Sequence, residues 1–444
     1  MEDFQKINGA ETAAPEKNST EAEVPAKKAP QPASPGTQAL RKVVSDVYAA
    51  AWEAKKRGEP VGWSSSKFPC EIAEAFGLAV VYPENQAAGI AAQHDGERMC
   101  QAAENLGYDN DICGYARISL AYASGVETTN ESRRMPQPDF LLCCNNICNC
   151  MTKWYENIAR IHRIPLVMID IPYNNHTAVD DTYVAYIRGQ FDDAIRKLEK
   201  ISGRSFDEKK FEQACANANR TASAWLKVCD YCQYKPSPMS GFDLFNHMAD
   251  VVTARGKVET AEAFELLASE LEEAVKTGKT TLPFEEKYRI MFEGIPCWPD
   301  LKALFRPLKA NGVNVTAVVY APAFGFVYED MDSMIRAYCK APNSICIEQG
   351  VEWREGICRA NKVDGVLVHY NRSCKPWSGY MAEMQRRFHR DLGVPVAGFD
   401  GDQADPRNFT AANYETRVQG LVEAMEENQR VKEENQRAGE GKAQ

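Results

Sequence analysis

The chain has 444 residues, 44% hydrophobic content and a formal net charge of −10. This length exceeds one ordinary domain, and the acidic balance argues against a nucleic-acid partner, because phosphate binding favours clustered Lys and Arg. No apolar run approaches the roughly 20 residues that a membrane helix needs. The amino-terminal residues also lack a charged-then-apolar secretory pattern, so we expect a cytoplasmic protein without a membrane partner.

The first 36 residues are rich in Ala, Pro, Lys, Glu and Ser and contain few large apolar side chains. Such a segment cannot bury enough surface to offset its ordering entropy, which predicts a disordered arm over residues 1–36. After the arm we expect four segments in chain order. They are a first α/β domain with a helical start (37–202), a helical segment (203–286), a second α/β domain (287–425), and a helix end and tail (426–444).

Short apolar runs alternate with amphipathic stretches along the two predicted α/β domains. Continuous apolar runs of this length are typical of strands buried on both faces of a parallel sheet. The runs lie at 78–82, 140–144, 166–169, 289–292, 315–320, 365–369 and 395–399. Apolar stripes with helical spacing lie at 184–201, 264–275 and 418–425. Gly203 and Gly278 follow the first two stripes and are predicted to end those helices. The pattern predicts an α/β fold of two doubly wound, flavodoxin-like parallel-sheet domains, with a helical insertion between them.

The fifteen cysteines of the chain call for an explanation. Disulfides are rare in a reducing cytoplasm, which leaves buried apolar thiols or thiolate metal ligands. Four cysteines lie within 143–150, directly after one predicted strand; Cys374 follows another, and Cys113 is a third candidate. Because open α/β sheets bind ligands beyond the carboxyl ends of their strands, these loops could converge on an iron–sulfur cluster at the domain interface. Zinc is the alternative, although the only Cys-x2-Cys pair, Cys229 and Cys232, has no partner pair.

Other polar residues are candidates for substrate binding and proton transfer. Ser66, in the hydroxyl-rich string GWSSSK (62–67), could donate a hydrogen bond to a substrate oxygen, or the serines could cap a helix. Glu84 could exchange a proton or be a solvated loop acid. His369 could lie near a cluster or in the core. The acidic run at 399–406 suggests a turn more than a metal loop. No phosphate-binding glycine pattern is present, so we do not expect ATP hydrolysis by this chain.

Six strings make the chain resemble the 2-hydroxyacyl-CoA dehydratase family, which also includes benzoyl-CoA reductases. They are GWSSS (62–66), YPENQAAG (82–89), CNNIC (144–148), GIPCWP (294–299), NRSCK (371–375) and GFDGDQADP (398–406). The strings occur in order, and the resemblance runs from about residue 35 to 425. Residues 319–327 and 370–380 most resemble alpha subunits that act on 2-hydroxyglutaryl-CoA.

The resemblance implies a heterodimer with a homologous beta subunit and an acyl-CoA substrate. It implies a [4Fe–4S] cluster held by Cys113, Cys148 and Cys374, with one iron open to substrate. It assigns catalysis to Ser66 and Glu84. It also implies a separate ATP-dependent [4Fe–4S] activator protein that supplies one electron. Flavin mononucleotide (FMN) accompanies some members of the family, and no residue of this chain locates it.

The implied reaction is the reversible, radical elimination of water from a 2-hydroxyacyl-CoA through a ketyl intermediate, giving a 2-enoyl-CoA such as glutaconyl-CoA. The alternatives are a dehydratase or reductase subunit for another acyl-CoA, and an electron-relay subunit without catalysis. Asn145, His369 and Arg372 are candidates to surround the cluster. Arg117 and Arg372 are candidates to bind a carboxylate at the far end of the acyl chain.

Overall fold

The strands of the computed structural model, which describes residues 33–176 and 178–440, form two parallel sheets. The first sheet has the order β2-β1-β3-β4 and the second has the order β6-β5-β7-β8. The strands are β1 Val61–Ser64, β2 Ala79–Val81, β3 Phe140–Cys144, β4 Leu166–Ile169, β5 Tyr288–Glu293, β6 Val313–Val318, β7 Gly365–Asn371 and β8 Val396–Gly401. Both orders are the doubly wound, flavodoxin-like arrangement, so the predicted fold class is confirmed.

Helices connect the strands, as parallel pairing requires. They are α1 Pro35–Lys56, α2 Cys70–Ala75, α3 Pro83–Ala92, α4 Gly96–Asn105, α5 Gly114–Ala123, α6 Cys150–His162, α7 Asp181–Ser202, α8 Glu208–Asp230, α9 Gly241–Ala254, α10 Val258–Thr277, α11 Leu301–Ala310, α12 Met331–Tyr338, α13 Ile347–Ala360, α14 Lys375–Ser378, α15 Met381–Arg387 and α16 Ala411–Glu440. None of the helices within residues 33–176 and 178–440 is both long and apolar enough to cross a membrane.

The ends of the chain differ in detail from the sequence prediction. The predicted arm lies outside the described residues as far as residue 32, but α1 already begins at Pro35. The Ser34 side chain accepts a hydrogen bond from the Thr37 N–H and so caps this helix, with a proline in its first turn. At the other end α16 continues to Glu440, well beyond residue 425.

Strand β1 is a correction to the sequence analysis, which predicts no strand before 78–82 and interprets the hydroxyl-rich segment 62–69 as a polar loop. Val61–Ser64 is fully buried and pairs with both β2 and β3, so it is central in the first sheet. Gly62 is required there, because a Cβ at this position would lie 2.5 Å from the Phe140 ring of the neighbouring strand. Ser65, Ser66 and Lys67 extend past the carboxyl end of the strand.

The segment between the two sheets is helical, as predicted. Helices α8, α9 and α10 pack with α1 around an apolar core that includes Trp225 and Phe264. The predicted glycine stops also occur, because Gly203 and Gly278 end α7 and α10 in the left-handed conformation at φ +65°.

A buried ion pair connects this helical segment to the first sheet's helices. Arg255, at the end of α9, contacts Glu71 of α2 at 2.8 Å, and both side chains are inaccessible to solvent. The Tyr328 hydroxyl donates to the same carboxylate at 2.7 Å, and the Tyr338 hydroxyl does so at 3.0 Å. The Arg255 guanidinium also lies 4.2 Å from the centre of the Phe326 ring.

We expect Glu71→Gln to lower the free energy of unfolding by about 3–5 kcal/mol, because it leaves the Arg255 charge buried without a counter-ion. The control is Glu74→Gln in the same helix. Its partner Lys257, at 2.7 Å, is partly exposed, so the loss should stay below about 1 kcal/mol. Urea unfolding followed by circular dichroism measures both. Equal destabilisation of the two variants would contradict the expectation.

Candidate active site

One cavity is lined by the segments that follow the strands of both sheets. From the first sheet it receives Ser66 after β1, Glu84 after β2 and Cys148 after β3. From the second sheet it receives Cys374 after β7 and Gln403 after β8. Parallel strands direct their carboxyl ends to one edge of a sheet, which explains why residues so distant in sequence meet here.

Four cysteines contribute their side chains to this cavity, namely Cys113, Cys148, Cys150 and Cys374. Cys113 directly precedes α5, Cys150 begins α6, and Cys374 directly precedes α14. Backbone N–H groups at these helix starts hydrogen-bond to the sulfurs, from Ala116 to Cys113, from Cys150 and Met151 to Cys148, and from Trp377 to Cys374. The Gln403 side-chain amide also donates to the Cys113 Sγ at 3.2 Å.

Burial and mutual repulsion keep these thiols protonated while no cation is present. Burial raises the pKa of Cys113 well above its ordinary value, and the neighbouring Cys150, Cys374 and Cys148 raise it further. Burial likewise raises the pKa of Cys374 to about 12. All four thiols are free of disulfides. A cationic metal centre would reverse this balance by binding the thiolates, and the N–H groups around the sulfurs are suited to stabilise their negative charge.

The thiols of the cavity are the donor type that an iron–sulfur cluster requires. Within residues 33–176 and 178–440, no three His, Cys, Asp or Glu side chains are placed around one metal position. In an iron–sulfur cluster each thiolate binds a separate iron, so its ligands are spread around the cluster. The donor set, which is thiols alone, is the one that such clusters use. The cysteines therefore fit an iron–sulfur group.

Ser66 and Glu84 form a hydrogen-bonded pair in the same cavity. The Ser66 hydroxyl donates to the Glu84 Oε1 at 2.7 Å, and the Ser66 backbone N–H donates to the same oxygen at 3.0 Å. The Tyr155 hydroxyl donates to the other carboxylate oxygen at 3.3 Å. Burial raises the pKa of Glu84 from 4.5 to about 7, although the hydrogen bonds from Ser66 oppose the shift. This carboxyl group can therefore hold or release a proton near neutral pH.

The alternative interpretations of this pair are wrong. Helix α2 begins at Cys70 with Pro69 as its cap, and no side chain caps it, so the serines are not a helix cap. Glu84 is buried in the first turn of α3 and is not a solvated loop acid.

The structure does not bring Asn145, His369 or Arg372 into the lining of the cavity. The Asn145 side chain connects the ends of β3 and β4, where its Oδ1 accepts from the Ile171 N–H at 2.7 Å. His369 is buried in β7, with its Nε2 3.5 Å from the Cys297 Sγ. Burial lowers the pKa of His369 to about 4, so it is a neutral core histidine. Arg372 is exposed. Roles for the three residues around a cluster stay predictions.

Arg117 is not available to bind a substrate carboxylate, in contrast to the expectation from the sequence. Its side chain is fully buried and contacts Glu104 and Asp405, each at 2.8 Å. Asp405 belongs to the acidic run at 399–406, which forms a turn as expected. In this turn the Asp402 Oδ1 accepts from the Ala404 N–H at 2.9 Å.

The sequence analysis did not identify Lys67 or Arg133, two charged residues of the cavity, and it gave Cys150 no role beyond its place in the run at 143–150. Lys67 directly follows Ser66, and it is buried with its Nζ donating to the Ala323 carbonyl at 2.6 Å. Burial lowers the pKa of Lys67 to about 7. Arg133 lies in a polar connection without any motif, so no local signal indicates it.

Comparisons with known proteins agree with the resemblance found in the sequence. The model of the family described as 2-hydroxyglutaryl-CoA dehydratase, D-component, matches residues 65–425. The alpha subunit of (R)-2-hydroxyglutaryl-CoA dehydratase from Acidaminococcus fermentans is 63% identical, with 91% of this chain and 99% of that protein covered.

Two clostridial proteins are also similar over most of their length. The (R)-phenyllactyl-CoA dehydratase alpha subunit of Clostridium sporogenes is 53% identical, over 87% of this chain and 94% of that protein. The (R)-2-hydroxyisocaproyl-CoA dehydratase alpha subunit of Clostridioides difficile is 49% identical, over 88% of this chain and 96% of that protein. The family match at residues 65–425 includes strands β2 to β8 and every residue that lines the cavity, and the chain therefore belongs to the 2-hydroxyglutaryl-CoA dehydratase D-component family.

Proposed function

We propose that the chain is a catalytic alpha subunit that removes water from a 2-hydroxyacyl thioester of coenzyme A. The substrate is (R)-2-hydroxyglutaryl-CoA and the product is glutaconyl-CoA. One observation carries the proposal, which is that the Ser66–Glu84 pair and four partly buried thiols line the same cavity. A subunit that only relays electrons has no need of a proton-transfer pair beside its metal centre.

Cys113, Cys148 and Cys374 would hold a [4Fe–4S] cluster at this cavity, which would leave one iron without a protein ligand. When bound, such a cluster supplies one-electron transfer and a Lewis-acidic iron. Cys150 is a fourth thiol in the same cavity, and it would not be an iron ligand. Thiols of this kind need a reducing compartment, which favours the cytoplasm.

The protein's own residues orient the substrate and move its proton. The C3 hydrogen of a 2-hydroxyacyl thioester is not adjacent to the carbonyl, so a base alone meets a high barrier. Once one electron from the activator has been added to the thioester carbonyl, protonated Glu84 donates its proton to the C2 hydroxyl, which leaves as water as the C2–O bond breaks. The Glu84 carboxylate then accepts the C3 proton, and the electron is returned as the C2–C3 double bond forms, so that both the proton and the electron are regained. The Ser66 backbone N–H holds the Glu84 carboxyl group in place, so the Ser66 hydroxyl can leave Glu84 and donate to the thioester oxygen instead. The apolar walls around the pair limit access of bulk water.

The proposal includes two protein partners. The relatives' names describe alpha subunits, which supports a homologous beta subunit in a heterodimer. No glycine-rich phosphate loop occurs in the sequence, so the electron would come from a separate ATP-dependent [4Fe–4S] activator. FMN would belong to the complex, and no residue of this chain is assigned to it.

The test is anaerobic purification with the beta subunit, followed by assay with the activator, ATP and a reductant. We expect a brown heterodimer that converts (R)-2-hydroxyglutaryl-CoA to glutaconyl-CoA faster than it dehydrates (R)-2-hydroxyisocaproyl-CoA or (R)-phenyllactyl-CoA. A heterodimer with full iron content that dehydrates none of the three thioesters would refute the proposal. A colourless protein would refute the cluster.

A further inference from the structure

The charged side chains in the described lining of the cavity are Lys67, Glu84 and Arg133. Lys67 is already committed, because its Nζ donates to the Ala323 carbonyl and lies 4.7 and 4.5 Å from the centres of the Phe324 and Phe326 rings. Glu84 is engaged by Ser66 and Tyr155. Arg133 is therefore the cation that can still offer hydrogen bonds to a ligand.

The Arg133 guanidinium is held in a fixed position at the end of a 3-10 turn, Glu131–Arg133. It lies flat against Gly89 of α3, where a Cβ would come within 2.9 Å of its Cζ, Nε and Nη1 atoms. With its amide oriented to meet these donors, the Gln93 side-chain oxygen accepts from the Arg133 Nε at 3.0 Å and from the Nη2 at 3.2 Å. The Gln86 Nε2 donates a hydrogen bond to the Arg133 backbone carbonyl at 2.9 Å.

Arg133 lines the cavity, and its Nη1 has no hydrogen-bond partner among the described residues. A guanidinium has five N–H donors and binds a carboxylate through two parallel hydrogen bonds. Gln93 engages the Nε side, so hydrogens on Nη1 and Nη2 stay available. Among the described residues, no ion pair includes Arg133, whereas its neighbour Arg134 pairs with Glu127 and Glu131. A partly buried, uncompensated cation beside an apolar cavity is suited to an anionic ligand group.

The distance along α3 fits an acyl chain with a second carboxylate. Glu84 and Gly89 line the same cavity and are five residues apart in α3, which is an axial separation of about 7–8 Å. Small side chains, Ala88 and Ala92, line the wall next to the Arg133 position. A five-carbon acyl chain that reacts at C2 and C3 near Glu84 can therefore extend its far end to Arg133.

We propose that Arg133 forms a carboxylate subsite that selects a dicarboxylic acyl thioester over a monocarboxylic one. The inference rests on the proposed function, since it takes the Ser66–Glu84 pair as the place of reaction. Gly89 belongs to the subsite, because only a residue without a side chain lets the guanidinium lie flat against α3.

The experiment compares two unreactive thioesters of equal chain length, glutaryl-CoA and pentanoyl-CoA, in binding to the heterodimer before activation. Isothermal titration calorimetry should show a preference for glutaryl-CoA in the unsubstituted protein. Arg133→Met should weaken glutaryl-CoA binding about 100-fold and leave pentanoyl-CoA binding within about threefold, because only the former loses a charged partner. Arg133→Lys keeps the positive charge but lacks the paired N–H donors of a guanidinium. Its affinity for glutaryl-CoA should therefore lie between those of the unsubstituted protein and Arg133→Met.

The control is Arg134→Met, which removes an adjacent, exposed arginine and should change neither affinity. Equal weakening of both thioesters by Arg133→Met, or weakening of neither, would overturn the subsite. Because neither thioester can be dehydrated, this outcome is separate from the proposed reaction. A heterodimer that shows the Arg133-dependent preference but dehydrates nothing would keep the subsite and refute the activity.

Discussion

Replacing Cys148 with alanine is expected to remove iron and dehydratase activity together. The side chain lies in the cavity with Cys113 and Cys374, and two backbone N–H groups are directed at its sulfur. Loss of a ligand from a three-thiolate site should exceed the 10–100-fold losses typical of outer-sphere changes, so activity should fall below about 1%. Iron content by colorimetric chelation, and visible absorbance of the anaerobic heterodimer, measure the first effect. The coupled assay measures the second.

Cys150→Ala is the matched control for this experiment. It removes a thiol from the same cavity, two residues away, and we expect it to keep the iron and most of the activity. The reverse result, with iron lost from Cys150→Ala and kept in Cys148→Ala, would show that the ligand assignment is wrong. Iron lost in both variants would mean four protein thiolates, and then no iron would be open to substrate.

Glu84→Gln is expected to lower kcat by about 100- to 10,000-fold, since it removes a proton donor while keeping size and polarity. The iron content should not change, because Glu84 hydrogen-bonds to Ser66 and Tyr155 and is not among the proposed ligands. In the unsubstituted enzyme, kcat should fall as the pH rises through about 7, where the carboxyl group loses its proton. This pH limb should be absent from the residual activity of the variant. If kcat of the variant still fell as the pH rose through about 7, the titrating group would not be Glu84.

The same carboxyl group should influence stability. Burial raises its pKa from 4.5 to about 7, so its stabilising contribution is fully present below pH 4.5 and is lost as the pH rises through 7. A glutamine at this position stays neutral at every pH, so burying it does not become less favourable as the pH rises. We therefore expect Glu84→Gln to be more stable than the unsubstituted protein at pH 9, by about 3 kcal/mol. Ser66→Ala is the control, because it removes a hydrogen bond without removing the charge.

The fold was largely predictable because a parallel sheet buried on both faces needs continuous apolar strands. The runs at 140–144 and 166–169 are such strands, and β3 is buried throughout. Strand β1 escaped prediction because it has four residues, of which two are glycine and serine. Its burial depends on Phe140, a residue brought beside Gly62 only by strand pairing. Contacts of that kind cannot be inferred from local sequence.

The candidate site was predictable where it obeys the rule that ligands bind at strand ends. Glu84, Cys148 and Cys374 follow strands that the sequence predicts, whereas Ser66 follows β1, which it does not predict. All four residues line one cavity. The arginines show the limit of the rule. Arg117 lies next to the Cys113 loop in sequence, yet it is neutralised by Asp405, which approaches only in the folded chain.

The thiols come from segments that belong to different sheets, since Cys148 follows β3 and Cys374 follows β7. A metal centre bound by both cysteines would cross-link the two sheets. Its destruction by oxygen would then free these thiols and destabilise both halves of the fold together. Exposure to air should therefore shorten the lifetime of the folded protein as well as its activity, and substrate alone should not restore either.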